Sequence, residues 1–190
     1  MFVNNNNQNN ARADRSMFTI RGDLDGGKGT QEFISIRQFI GLLIAKEEFL
    51  LPIEVTNEII MMNQLTFVPR APNFIEGVIN LRGTIVPAIN LRKMLGMSNE
   101  KPTAQSRIII AHFDEVMIGL IVDGITYVIS VPEEQLQQQV LPSKGNSSEL
   151  ISMISKRGSQ VNGVIDIAKV LSETGINYQA QDEEVEEESH

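Results

Sequence analysis

The chain has 190 residues, no Cys, no Trp, and a formal net charge of -8 from 16 Lys and Arg against 24 Asp and Glu. That length predicts one medium domain, or two small subdomains sharing a core. Zero Cys excludes disulfide frameworks, thiolate metal sites and Cys nucleophiles; the acidic balance argues against a binder that works by neutralising nucleic-acid phosphates.

Residues 1–30 hold four basic and three acidic residues, and residues 179–190 hold six acids with no Lys or Arg. The stretch between them is therefore close to neutral, at -3. The run Asp182, Glu183, Glu184, Glu186, Glu187, Glu188 repels itself and reads as a solvated tail over 177–190. At the other end, Asn4–Asn7 and Asn9–Asn10 are low-complexity polar sequence, unlike the apolar centre of a secretory signal. Residues 1–30 are expected to form a disordered Asn- and Gly-rich arm. No apolar run reaches the roughly 18 residues that a membrane span needs, so a cytoplasmic location without membrane insertion is the default expectation.

Within the arm, Gly22-Asp23-Leu24-Asp25-Gly26-Gly27-Lys28 nearly spells a phosphate-binding loop. The pattern needs Ser or Thr directly after the Lys, because that hydroxyl ligates Mg²⁺. Gly29 follows instead, and Thr30 comes one residue late. Nucleotide binding through loop 22–30 is thus a remote alternative, and a Gly-rich linker the plainer reading.

From Phe33 the texture changes to short Val- and Ile-rich runs broken by polar turns. Strands are predicted near 36–45, 48–53, 57–61, 75–81, 84–89, 106–113, 116–122, 125–130, 149–156 and 160–165. Lys46-Glu47, Arg82-Gly83, Asp114-Glu115 and Arg157-Gly158-Ser159 read as hairpin turns. Short helices fit 91–95 and 166–172, where Leu91, Met94, Leu95 and Ile167, Val170, Leu171 recur at helical spacing.

The pattern repeats. Arg82-Gly83, an apolar strand and Ile89-Asn90-Leu91-Arg92-Lys93-Met94-Leu95 are matched by Arg157-Gly158, an apolar strand and Ile165-Asp166-Ile167-Ala168-Lys169-Val170-Leu171. Counted from Arg-Gly, the copies differ in length by one residue. Each half reads as hairpin, strand, Arg-Gly hairpin, short helix. Two such halves point to two small β-barrels side by side.

Catalytic chemistry is thin. His112 stands without a second His nearby, so no zinc set forms around it, and it reads as a core or edge histidine. The serine-hydrolase elbow is missing. Met61, Met62, Met94, Met117 and Met153 fall on apolar stripes and read as core. Glu58 and Arg82 stand out as charges among apolar neighbours. If they meet inside the fold they form a buried pair, which costs about 3–5 kcal/mol to break.

Taken together, the stretch Val68-Pro69-Arg70-Ala71-Pro72-Asn73-Phe74-Ile75-Glu76-Gly77-Val78-Ile79-Asn80-Leu81-Arg82-Gly83-Thr84-Ile85-Val86-Pro87-Ala88-Ile89-Asn90-Leu91-Arg92 strongly resembles the signature of the CheW-like chemotaxis coupling proteins. Glu47-Glu48-Phe49, Glu58-Ile59, the stretch from Val116 to Ile125 and the closing segment from Ile165 to Leu171 resemble further blocks in the same order. The resemblance covers about 31–173. It implies a mainly β fold of two five-stranded SH3-like barrels sharing a core with short helices, filling 31–176. It also implies a non-catalytic adaptor with no cofactor, no metal and no catalytic residue. Its partners would be the cytoplasmic tips of chemoreceptors and the regulatory domain of a CheA-type histidine kinase, with no nucleic acid. The pathway is flagellar chemotaxis or, alternatively, a type IV pilus or other array. By the same resemblance, Glu58 and Arg82 form a pair beside a receptor groove made of Thr56, Asn80, Leu81, Gly83, Arg107 and Val128. The kinase-facing end is expected around Gly119. Asn90 departs from the family's usual Asp.

Overall fold

The structure, a computed structural model, describes residues 16–19, 33–62, 65–138 and 149–175. Loop 22–30 and the acidic tail lie outside them. In chain order the elements are β1 (Ser16–Thr19), β2 (Phe33–Ile44), β3 (Glu47–Pro52), β4 (Thr56–Met61), β5 (Ile75–Leu81), β6 (Thr84–Asn90), α1 (Leu91–Met94), β7 (Arg107–Phe113), β8 (Val116–Val122), β9 (Gly124–Pro132), β10 (Leu136–Gln138), β11 (Ile151–Arg157), β12 (Gln160–Ile165) and α2 (Ile167–Thr174). Residues Ser16–Thr19, inside the segment read as a disordered arm, pair with β2 as an added strand.

Two sheets result. One has five strands in the order β4-β7-β8-β6-β5; the other has seven, β1-β2-β3-β12-β11-β10, with β9 also on β2. The seven-stranded sheet exceeds the expected five for two reasons. β1 is added, and Pro132 breaks one long strand into β9 and β10. A proline has no N–H for the ladder and sets φ for the 3-10 turn Glu133–Gln135 that follows. Pro52 does the same before Ile53–Val55.

Each sheet curls back on itself. In the five-stranded one, Thr66 bridges Val78 on β5. That joins the chain beyond β4 to the far edge. In the seven-stranded one, β9 leads through its turn into β10, which pairs with β11. The repeat halves are nevertheless not the barrels. The five-stranded barrel takes β4–β6 from the first half and the hairpin β7–β8 from the second. The seven-stranded barrel takes β2–β3 from the first and β9–β12 from the second. The chain crosses between barrels at the Pro52 turn and at Asp123.

The register also revises the repeat. Ile75 pairs with Ile89, Ile79 with Val86 and Leu81 with Thr84. Ile151 pairs with Ile165, Ser155 with Asn162 and Arg157 with Gln160. Both hairpins carry a bulge after the first pair. The copies therefore match in length, and Arg157 corresponds to Leu81 rather than to Arg82. The one-residue difference came from using Arg-Gly as the landmark.

A shared apolar core joins the sheets. It contains Ile40, Leu42 and Ile44 of β2, Ile89, Ile109, Leu120, Ile165, and Leu91 and Val170 of the helices. Alternation sends the other strand faces inward to each barrel. Ile79, Val86, Ala88, Ile108 and Ile110 fill the five-stranded one. Phe39, Leu50, Ile129, Val131 and Val164 fill the other.

Candidate docking surface

The β5–β6 turn puts Arg82 and Gly83 at φ 52° and 96°. Both lie in the left-handed region that a tight hairpin demands. Asn80 Oδ1 accepts from the Gly83 N–H at 2.7 Å and fixes the turn. Arg82 Nη2 then donates to Glu58 Oε2 at 3.1 Å. β4 and β5 lie at opposite ends of the strand order, so this contact exists only because the sheet curls.

The pair is not buried. Arg82's side chain is 81% exposed and Glu58's 25%. A surface pair of this kind is worth about 0–1 kcal/mol, so the expected cost of a buried pair does not apply. The guanidinium has five donors and stays open to a partner.

Around it, β4 alternates. Thr56, Glu58 and Ile60 are half-buried, while Asn57, Ile59 and Met61 face out. Met61 is thus surface rather than core; Met94 is buried as expected. The Thr56 hydroxyl donates to the Pro52 carbonyl at 3.3 Å. Arg107 opens β7 opposite Met61 and Val122. Its Nη1 donates to the Ala104 and Ser106 carbonyls at 2.8 and 2.9 Å. Leu81 packs against the five-stranded interior, whereas Asn80 and Gly83 are exposed.

Val128 sits in the other sheet, on β9 opposite Ile40. It shares that residue's face, toward the common core, but lies past the core's edge at 57% exposure. Gly119 is buried in β8, between β6 and β7. A Cβ there would stand 2.9 Å from Ile108 Cγ2. Its role is close strand packing, and it offers no contact surface. His112 is exposed near the end of β7, not in the core.

Two polar clusters went unread in the sequence. Arg92, 8% exposed, donates through Nε to Asp123 Oδ1 and Oδ2 at 2.7 and 2.8 Å, and through Nη1 to the Ser98 carbonyl at 3.0 Å. Hydrogen bonds to Asp123 and its charge outweigh burial and raise the Arg92 pKa. Asp123 also accepts from the Ala45 N–H at 2.6 Å, so it ties α1 of one barrel to the β2–β3 turn of the other. The available signal was an Arg next to the apolar positions Leu91, Met94 and Leu95 of a short helix.

The second cluster explains Asn90. Its Oδ1 accepts from the Lys93 N–H at 3.2 Å and caps α1. Its Nδ2 donates to Glu76 Oε1 at 2.7 Å and to Asn99 Oδ1 at 3.3 Å. An ionised Asp has no proton for Glu76. Lys93 Nζ completes the group at 2.8 Å from Glu76. A cleft of about 400 Å³ opens beside Glu76 and Asn90, floored by Met62, Leu65 and Ile121. Among the described residues, no three His, Asp or Glu gather where they could hold a metal, and no helix is long and apolar enough to cross a membrane.

Two curled β-sheets around one core, with an exposed Arg-bearing hairpin as the most distinctive surface feature, define a two-barrel β module. Comparison with known proteins gives the family. The CheW-like domain family matches residues 38–175. The chemotaxis protein CheW of Helicobacter pylori is 26% identical over 83% of this chain and 94% of its own length. That of Thermotoga maritima is 33% identical over 73% and 91%. The scaffolding protein TtCheW of Thermoanaerobacter tengcongensis superposes with a TM-score of 0.65 at 30% identity, covering 68% of this chain and 88% of that one. The chain belongs to the CheW-like family, and its function is that of a chemotaxis coupling adaptor.

Proposed function

We propose that this adaptor is non-catalytic and cytoplasmic, and that it holds the regulatory domain of a CheA-type histidine kinase to chemoreceptor tips. The observation that carries the receptor half is the Arg82–Glu58 pair, whose guanidinium stays exposed on the β5–β6 turn with the exposed Ile85 three residues on. Interface anchors are commonly an Arg set among apolar contacts. Thr56, Asn80, Leu81, Gly83, Arg107 and Val128 form the groove around it. On the same reading the kinase would dock at the β7–β8 hairpin, whose strands pack closely at Gly119 and whose Phe113 is exposed.

Co-sedimentation of the full chain with receptor-tip fragments and a CheA-type kinase tests this reading. Arg82→Glu should weaken receptor capture about tenfold or more while leaving the fold intact. Unchanged capture by that variant would remove Arg82 from the site. A second reading, a pilus-associated array, draws support from Protein PilI of Pseudomonas aeruginosa, 26% identical over 59% of this chain and 63% of its own length. Capture by pilus-pathway receptors in preference to flagellar ones would decide for it. Nucleotide binding through loop 22–30 stays a remote proposal, tested by titrating the intact chain with ATP.

A further inference from the structure

The seven-stranded barrel is apolar at one end only. Phe39, Leu50, Ile129 and Val164 line that end. Two residues along each strand, on the same face, stand Gly41, Glu48, Tyr127 and Asn162. On β11, Ser155 and Arg157 follow Met153 in the same way. The interior thus passes from an apolar layer to a polar one.

Glu48 is the hub of that layer. Its Oε1 accepts from the Thr126 hydroxyl at 2.7 Å. Its Oε2 accepts from the Tyr127 hydroxyl at 3.2 Å and from Asn162 Nδ2 at 3.3 Å. Asn162 Nδ2 also donates to the Glu48 carbonyl at 3.0 Å. Arg157 Nη2 donates to Tyr127 Oη at 3.3 Å. Ser155 Oγ, Asn162 Oδ1 and Arg157 Nε are buried beside them without a partner among the described residues. A partly satisfied polar network is costly to keep, which asks for a use.

The use lies in the backbone that the network grips. Ile40 pairs with Val128 and Leu42 with Ile125, so Thr126 and Tyr127 together oppose Gly41. This is a bulge, a device that re-aims the neighbouring side chain. Gly41 makes it feasible, since a Cβ there would collide with Thr126 Oγ1 and stand 3.1 Å from Glu48 Oε1. The hydroxyls of the bulge reach over the bare glycine to the carboxylate on the next strand. Val128 is the first residue after the bulge.

We propose that Glu48 and Tyr127 are positioning residues for the receptor-binding surface: they clamp the Thr126–Tyr127 bulge and so hold Val128 turned toward the receptor tip. This rests on the reading of Val128 as a groove residue. It links the β11–β12 hairpin, through Arg157 and Asn162, to a surface that neither residue touches.

The test uses the full chain and the variants Tyr127→Phe, Glu48→Gln and Val128→Ala, with amide hydrogen exchange and affinity for a receptor-tip fragment as readouts. Tyr127→Phe and Glu48→Gln should speed exchange about tenfold over Thr126–Ile129 alone and weaken receptor binding about fivefold. Val128→Ala should weaken binding similarly with exchange unchanged. Adding Tyr127→Phe to Val128→Ala should change affinity no further, because the hydroxyl acts through Val128. Unchanged exchange in the two clamp variants overturns the clamp. Faster exchange with intact affinity, while Val128→Ala still weakens binding, overturns the positioning role and leaves the groove standing. Additive losses in the double variant mean direct contact by Tyr127 and overturn the proposal as well. Intact affinity in Val128→Ala removes the groove reading itself, and the proposal with it.

Discussion

Matched positions in the two barrels carry opposite chemistry. Ile79 faces Val86 inside the five-stranded barrel, and Ser155 faces Asn162 at the same register in the seven-stranded one. One rung further, Leu81 corresponds to Arg157. The first barrel is sealed with hydrocarbon and carries its arginine outside, on the turn. The second draws its arginine into the strand, where Arg157 Nη2 donates to Tyr127 Oη at 3.3 Å and to Gln160 Oε1 at 3.4 Å. Turn position decides this: Arg82 occupies the left-handed site at φ 52° that Gly158 fills at φ 60° in the other hairpin. A non-glycine residue there costs on the order of 1 kcal/mol. A long cation held in that strained spot is presented outward, which suits recognition better than stability.

The comparison can be broken at its junction first. Asp123→Ala takes away the carboxylate that Arg92 Nε bonds twice, leaves it only the more exposed carboxylate of Glu100 at 3.3 Å, and cuts the tie between α1 and the β2–β3 turn. Urea unfolding should show a loss of about 3–5 kcal/mol. Next comes the exchange of interiors. Val86→Asn places an unpaired amide in the apolar barrel and should cost about 1–3 kcal/mol. Asn162→Val removes two hydrogen bonds to Glu48, one to its carbonyl and one to its carboxylate, but also a buried oxygen with no partner among the described residues, and should stay within about 1 kcal/mol. Equal costs for the two would mean that the barrel interiors are not specialised.

A smaller effect is expected from Glu76. Burial pushes its carboxyl pKa up, but hydrogen bonds from Lys93 and Asn90 and the Lys93 charge outweigh that and hold it below the ordinary value. A depressed folded-state pKa contributes stability that is present above the unfolded value, near 4.3, and is lost as pH falls through the lowered one. Glu76→Gln should therefore lower stability at neutral pH and flatten its decline in acid, as unfolding at pH 7 and near pH 3 will show. The smallest stability effect belongs to Arg82→Gly, within about 1 kcal/mol, because relief of the turn offsets the lost surface pair. Receptor capture should nevertheless fall sharply. A large stability loss in that variant would make Arg82 structural.

Much of the strand pattern was legible because half-buried strands alternate and tight turns need special residues. Both helices were readable from Leu91, Met94 and Leu95, and from Ile167, Val170 and Leu171. The site was legible in part. Glu58 and Arg82 do meet, but sequence pattern could not say whether inside or outside. Met61 looked like core because β4 carries apolar residues on both faces. Gly119 looked like a surface landmark because a motif does not show burial. The Glu48 network was invisible, since Glu48 lies 78 to 114 residues from Thr126, Tyr127 and Asn162.

What the chain determines by itself is local: where strands run, where turns need a left-handed residue, where Pro52 and Pro132 end a strand, and that a charge-balanced middle lies between polar ends. These follow from backbone sterics and side-chain periodicity within a few residues. Which hairpin joins which barrel was decided only in three dimensions. The pairings of β3 with β12 and of β6 with β8 bring distant segments alongside in parallel, and each barrel closes with a hairpin from the other half. No local propensity encodes that choice, because either hairpin presents the same alternating face. Packing settles it by burying both faces of β2, with Phe39 inside the seven-stranded barrel and Ile40, Leu42 and Ile44 in the shared core.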